Sequence, residues 1–586
     1  MKRTNVSYLA SILLTAVFLT SCGGLNKMVK LAPEVRYSVT PEILSMHGDS
    51  IEITLKGTFP AKYFNKKAIL SITPVLKYEA GEKIFESKTL QGEDAQANNQ
   101  VISFVSGGSF DLTSKIPYTE DMKISDLELR VKASIKDKSV DVPTEKVADG
   151  VIATANLLEK DPKSIKADDK FVRVTTQSKG ADIHFIINKA NIRNSEIKAE
   201  DMTALKNYVK EASEKSNYEF KGIDLLAYAS PDGAIDLNTK LAAKRLKNTK
   251  KYFGKQLKRN KIEAAKEGDF FQATSTPEDW DGFQKLMQNS EIQDKDLILR
   301  VLSMYSDPDV REKEIKNISA AYTIIADKIM PQLRRSQLKV NISIVGYSDS
   351  ILTELSKTNP DTLNLEELMY SATLTEDLNE QLNIYKTVVK KYPECLRGHN
   401  NVGYVNMKLN KLDEAKASFE EAKKINANNA MVLNNLGVIA YLNNDIEAAQ
   451  EYYNAAAGAK QGNEISYNQA IIKVKNGNYE DALNLFASSK FSTFNFALAK
   501  FLNFKNTQNA DAFEASMGIL KKIDNQDNAL IYYLKAIIGA HQQNADLIYN
   551  NLRTAIEKDA SIAGKAKKDI EFAKYFEDET FKSIVQ

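Results

Sequence analysis

Small and aromatic residues recur at a fixed spacing in the last third of this 586-residue chain. Gly403 and Gly437 are 34 residues apart, as are Ala415 and Ala449, Phe419 and Tyr453, and Ala422 and Ala456. Ala482 and Phe486 keep the same phase after a one-residue slip, and Leu365, Leu368, Tyr385 and Pro393 mark an earlier unit. A period of this length commits a chain to stacked helix pairs. A small residue at each crossing lets the two helices of a unit approach, and the aromatic fills the gap to the next unit. Four units are clear and two weaker ones follow residue 491. From about 362 to 586 the expected fold is an all-α superhelix with a concave face.

These positions (Gly403, Ala415, Phe419, Gly437, Ala449, Tyr453, Ala482, Phe486) resemble the tetratricopeptide-repeat signature. The resemblance implies a concave surface for a protein partner or an extended peptide.

The N-terminus carries a second constraint. Lys2 and Arg3 precede a short apolar run that ends in Leu19-Thr20-Ser21-Cys22-Gly23. The run is too short for a membrane span and is laid out as a secretory signal. Its ending resembles the lipobox of bacterial lipoproteins. That resemblance implies a signal peptide over 1–21, acylation of Cys22, and a lipid-anchored tether over 22–34. Several acyl chains make such an anchor durable. Gly23 follows the cysteine where Asp would favour retention in the inner membrane, and no acidic cluster follows. The expected location is the outer membrane, facing the periplasm. Only Cys395 remains besides Cys22, so no intramolecular disulfide is available. Net charge is +2, which implies no bulk attraction to nucleic acid.

Between about 35 and 150 apolar residues alternate: Ile51, Ile53, Leu55; then Leu127, Leu129, Val131, Ala133. Period-two runs broken by Pro41, Pro60 and Gly107-Gly108 predict a β-sandwich. From about 165 to 350 strands alternate with helices, which predicts an α/β domain with an insertion over about 260–336. Here Ala227-Tyr228-Ala229-Ser230-Pro231-Asp232-Gly233 is followed by Asn238, Leu241 and Arg245. These residues resemble the OmpA-like C-terminal domain, whose pattern is Gly-x-Thr-Asp-x-x-Gly and then Asn-x-x-Leu-Ser-x-x-Arg-Ala. The resemblance implies non-covalent binding of peptidoglycan, an Asp clasping the ammonium of the stem peptide and an Arg its carboxylate. Arg245 matches the Arg, but Ser230 stands at the Asp position. Asp232 is then either a substitute carboxylate or a turn residue in Pro-Asp-Gly. The following stretch, 244–266, holds ten Lys or Arg against one Glu. Such a run is either a solvated face or a contact for an anionic surface. Trp280, the only tryptophan, is either a partner anchor or a core anchor.

His47, His184, His399 and His541 fall in separate segments, and no nucleophile elbow, phosphate loop or dinucleotide fingerprint occurs. The expected protein is multidomain and non-enzymatic, without metal or cofactor: sandwich, OmpA-like α/β domain, tetratricopeptide superhelix. The function expected first is a periplasmic envelope scaffold, anchored through Cys22 and binding protein partners through its repeats. A peptidoglycan tether and an accessory of glycan uptake are the alternatives.

Overall fold

The computed structural model describes residues 23–507 and 511–586, so Cys22 and the signal stretch lie outside the described residues. The chain forms two compact units. One joins the residues up to 167 with residues 392–586, and the other is residues 168–391.

In the first unit, alternation becomes a double-layered β-region. The strands are β1 (Arg36–Thr40), β2 (Ile43–His47), β3 (Ser50–Phe59), β4 (Ile69–Tyr78), β5 (Gly81–Ile84), β6 (Lys88–Gly92), β7 (Gln100–Ile102), β8 (Gly108–Pro117), β9 (Ser125–Ile135) and β10 (Lys138–Ile152). β3 pairs antiparallel with β1 and β8, while β10, β9, β4, β6 and β7 follow one another in the second layer. β2 joins the layers, antiparallel to the end of β3 and parallel to β10. Ile51, Ile53 and Leu55 face Leu70, Ile72, Leu127 and Leu129 in one buried core. The expected tether is corrected in part here. Gly23–Lys30 is a helix, and its Leu25 and Met28 are buried in that same core. Two apolar side chains at i and i+3 share a helix face, which is why this stretch docks instead of remaining free.

The repeats begin in this unit at Leu396, later than the expected 362. Five helix pairs follow: Leu396–Lys408 with Leu412–Ile425, Ala430–Leu442 with Ile446–Ala459, Asn463–Lys475 with Tyr479–Ser489, Phe494–Thr507 with Asp511–Leu520, and Ala529–His541 with Ala545–Lys558. The glycines are required by close approach. A Cβ on Gly403 would lie 2.6 Å from the Phe419 ring, and one on Gly437 2.6 Å from the Tyr453 ring. Ala415, Ala449, Ala482 and Phe486 are fully buried.

The second unit holds a four-stranded sheet of β11 (Val174–His184), β12 (Tyr218–Tyr228), β13 (Phe271–Thr276) and β14 (Arg335–Val345), in the order β11-β14-β12-β13. β14 is antiparallel to both neighbours, and β12 is parallel to β13. Helices Glu200–Ser213 and Ile235–Arg259 cover one face, burying Ile183, Leu205, Ile223, Leu225, Phe253 and Val340 together. The insertion between β13 and β14 is helical with its own small core of Phe283, Met287, Ile298 and Leu333. Trp280 packs edge-on against Phe283 at the margin of that core. The helix pair Leu365–Ser371 and Leu378–Lys391 belongs to this unit, not to the repeat array.

Candidate functional site

The repeat helices carry a row of buried asparagines. Asn400 and Asn434 are 34 residues apart, as are Asn401 and Asn435, and Asn468 follows Asn435 after the one-residue slip. All five are fully buried, as is Asn495 in the next pair. A buried carboxamide is costly unless its donor and acceptor are both satisfied. Here the partner is the chain's own main chain, the extended stretch of residues 158–167.

The pairing is two-pronged and falls on alternate residues. Asn401 accepts from the Ala167 N–H at 2.8 Å and donates to its carbonyl at 2.9 Å. Asn435 does the same at Ile165, with both distances 2.7 Å. Asn468 holds Lys163 at 2.7 and 2.8 Å, and Asn495 holds Glu159 at 2.8 and 3.0 Å. The skipped residue, Asp161, is held by its side chain: Tyr467 Oη and Asn495 Nδ2 donate to one carboxylate oxygen at 2.7 and 2.8 Å. The asparagines brace one another, Asn435 donating to Asn400 at 2.9 Å and Asn468 to Asn434 at 2.8 Å. The result is an amide ladder on which residues 159–167 lie like an added strand. Leu157 anchors the entry to this strap by packing into the repeat core. The strap runs against the order of the repeats, its first residue on the latest helix.

Charge at the strap is handled locally. Lys163 reaches Asp161 Oδ2 at 3.0 Å and lies 5.0 Å over the Tyr467 ring. Glu159 accepts from Asn528 at 2.6 Å, yet burial still pushes its carboxyl above the ordinary range. These contacts were not read from the sequence. The Asn-Asn pairs at 400–401 and 434–435 were the available signal, because polar residues at interior repeat positions demand a fixed partner.

The second cluster lies at the end of β12. Ser230, Asp232, Asn238 and Arg245 are brought together here, but each is already engaged from within the domain. Arg245 has no exposed surface, and it donates to three main-chain carbonyls: Tyr228 at 2.7 Å, Lys189 at 3.1 Å and Ile186 at 3.5 Å. Its guanidinium also lies 5.1 Å over the Phe185 ring. Burial lowers its pKa to about 10, Arg334 adds to the fall, and Asp232 opposes it. Asp232 is paired with Arg334 at 2.7 Å, and Ser230 is wedged between them, accepting from Arg334 at 3.1 Å and donating to Asp232. Asn238 ties the turn by donating to the carbonyls of Ser230 and Gly233 at 3.1 and 2.9 Å. Arg334 had no place in the sequence reading, since it stands over a hundred residues from the turn it closes. Asp232 thus sits in an internal ion pair, and Arg245 is a core residue.

Residues 407–464 match the family model of the tetratricopeptide repeat. Solved structures similar to this chain include YrrB, a tetratricopeptide protein with an unusual peptide-binding site, at 16% identity over 31% of this chain and 97% of its own, with a TM-score of 0.26. PilW, a widely conserved type IV pilus biogenesis factor, matches at 15% identity over 41% of this chain and 98% of its own, with a TM-score of 0.28. A tetratricopeptide repeat protein from Parabacteroides merdae matches at 14% identity over 40% and 89%, also at 0.28. No curated protein matches the chain. The C-terminal helical array thus contains tetratricopeptide repeats over residues 407–464. Among the described residues no helix is long and apolar enough to cross a membrane.

Proposed function

We propose that this protein is a non-enzymatic scaffold of a bacterial outer membrane, anchored by lipid at Cys22, facing the periplasm, and binding protein partners through its repeats. One observation carries the preference for a scaffold. The residues that resemble a wall-binding groove are turned to the domain's own interior: Arg245 is fully buried on main-chain carbonyls and Asp232 is paired with Arg334. The repeats, by contrast, are built to hold polypeptide. Their ladder grips N–H and C=O pairs, which every extended peptide offers. Because residues 159–167 already occupy the ladder, the surface open to a partner is composite. It is made of repeat side chains and the even-numbered strap residues Lys160, which is exposed, and Ser164 and Lys166, which are half-buried; the rung asparagines hold the odd-numbered residues between them.

The reading is tested in cells. A photo-crosslinking residue placed at Ser164 or Lys166 should trap one discrete envelope protein, and the adduct should be lost on Cys22→Ser with the chain released from the membrane fraction. Palmitate labelling of the parent but not of Cys22→Ser is expected alongside. Adducts confined to the chain itself would overturn the partner-binding role, and an unlabelled, soluble parent would overturn the anchor. Purified sacculi should not retain the protein; retention would restore the tether.

A further inference from the structure

The helix Ile235–Arg259 carries more positive charge than packing explains. It is 25 residues long, and Asn238, Leu241, Ala242, Arg245, Thr249, Phe253 and Leu257 form its buried face. On the opposite side Lys240, Lys244, Lys247, Lys251, Lys255 and Lys258 are all exposed. Their spacings of three and four residues set them in one row, about 27 Å long at the helical rise. The helix bears a single acidic residue, Asp236, at its start. Among the described residues none of the six lysines is ion-paired; the ion pair in this stretch, Lys266 with Glu263, lies beyond the helix end. Like charges at this spacing repel one another, so the row weakens the helix it sits on. The chain as a whole nets only +2, which makes the concentration local.

A second feature accompanies the row. The loop after β11 is tied to this helix, since Arg245 takes the carbonyls of Ile186 and Lys189 and Asn248 takes that of Ala190 at 2.8 Å. On that loop Ile186 and Ile187 are 48% and 51% exposed, and on the first turn of the helix Ile235 and Leu237 are 45% and 48% exposed. Four large aliphatic side chains thus stand in water on this helix and on the loop tied to it.

We propose that this face docks on a bilayer surface bearing anionic headgroups, the lysines meeting the headgroups and the aliphatic side chains entering the interface. Lysine is a mobile point charge, suited to fluid headgroups more than to fixed bidentate recognition of a base or a folded partner. Exposed isoleucines give nothing to a nucleic acid or an acidic glycan, whereas burial in a membrane interface stabilises them. This docking does not depend on the lipid at Cys22.

The test uses the full chain carrying Cys22→Ser, so that no acyl anchor contributes, in sedimentation with vesicles of phosphatidylcholine alone or mixed with phosphatidylglycerol. Binding should require phosphatidylglycerol and weaken steeply with salt. Each lysine at an anionic surface strengthens binding about fivefold. Combined Lys244→Glu, Lys247→Glu, Lys251→Glu and Lys255→Glu should therefore weaken it at least about 100-fold. The same number of reversals at exposed lysines elsewhere (Lys132, Lys138, Lys416, Lys567) should leave it unchanged. Ile186→Ser with Ile187→Ser should spare binding at low salt and remove what persists at high salt. Equal binding to neutral vesicles, or equal loss in the distant reversals, would overturn the proposal. So would soluble polyglutamate competing as well as vesicles while the isoleucine variant binds normally, which would assign the face to an acidic polymer.

Discussion

The repeat groove and the turn cluster at β12 are both buried polar sites that resemble binding surfaces, and both are filled by the chain itself. They are filled differently. The ladder is neutral and grips main-chain atoms, so its occupant is defined by being extended and in reach. The cluster holds two guanidinium groups and a carboxylate, so each member depends on one particular partner. Neutral amides that lose an occupant can turn to water; a stranded buried charge cannot. The cluster should therefore be brittle where the ladder is graded.

The largest effect is expected at Arg245. Arg245→Ala strands three main-chain carbonyls and empties the volume of a fully buried side chain, and should cost about 3–5 kcal/mol in denaturant unfolding of the second unit. Arg245→Lys should rescue little, because an ammonium cannot span the same acceptors. A loss below about 1 kcal/mol would place this cluster with ordinary surface charge and erase the contrast with the ladder.

Asn435→Ala comes next, at about 2–3 kcal/mol, since it removes both rungs at Ile165 and the brace to Asn400. Hydrogen exchange sharpens this further. In the parent the amides of Lys163, Ile165 and Ala167 should be protected and those of Ser164 and Lys166 fast. Uniform exchange along 163–167 would show that the strap does not rest on the ladder. Gly403→Ala is a smaller test of the frame that carries the ladder. Its Cβ would press on the Phe419 ring and should lower stability by about 1–3 kcal/mol without changing the alternation in exchange.

The smallest effect concerns pH. Burial raises the Glu159 carboxyl, so the folded chain holds that proton more tightly than the unfolded one. The associated stability is fully present below the unfolded pKa and is lost as pH rises through the folded value. Glu159→Gln should thus stabilise at neutral pH, by less than about 1 kcal/mol because the group is partly solvated, and the gain should vanish in acid. A gain that persists unchanged in acid would mean the carboxyl is not desolvated at the strap.

Much of the frame was legible in the sequence because it rests on periodicity. Ile51, Ile53 and Leu55 could alternate only in a strand with one buried face. Gly403 and Phe419, repeated one unit later, could be read as a crossing and its filler. The site was half legible. Ser230, Asp232, Asn238 and Arg245 do converge, but the residue that closes their cluster, Arg334, lies at the far edge of the insertion. The stretch Gly23–Lys30 was misjudged because two glycines outweighed the Leu25 and Met28 spacing.

By itself the sequence determined the kinds of layer this chain can build, since side-chain spacing decides which face of a strand or helix must leave water. Only the tertiary structure decided what fills the groove. Residues 159–167 are recognised through main-chain groups that every residue shares, by asparagines 234 to 336 positions away. No pattern in the strap's own letters records that contact. It exists because the fold brings an extended segment within hydrogen-bond reach of buried carboxamides that have no other way to be satisfied.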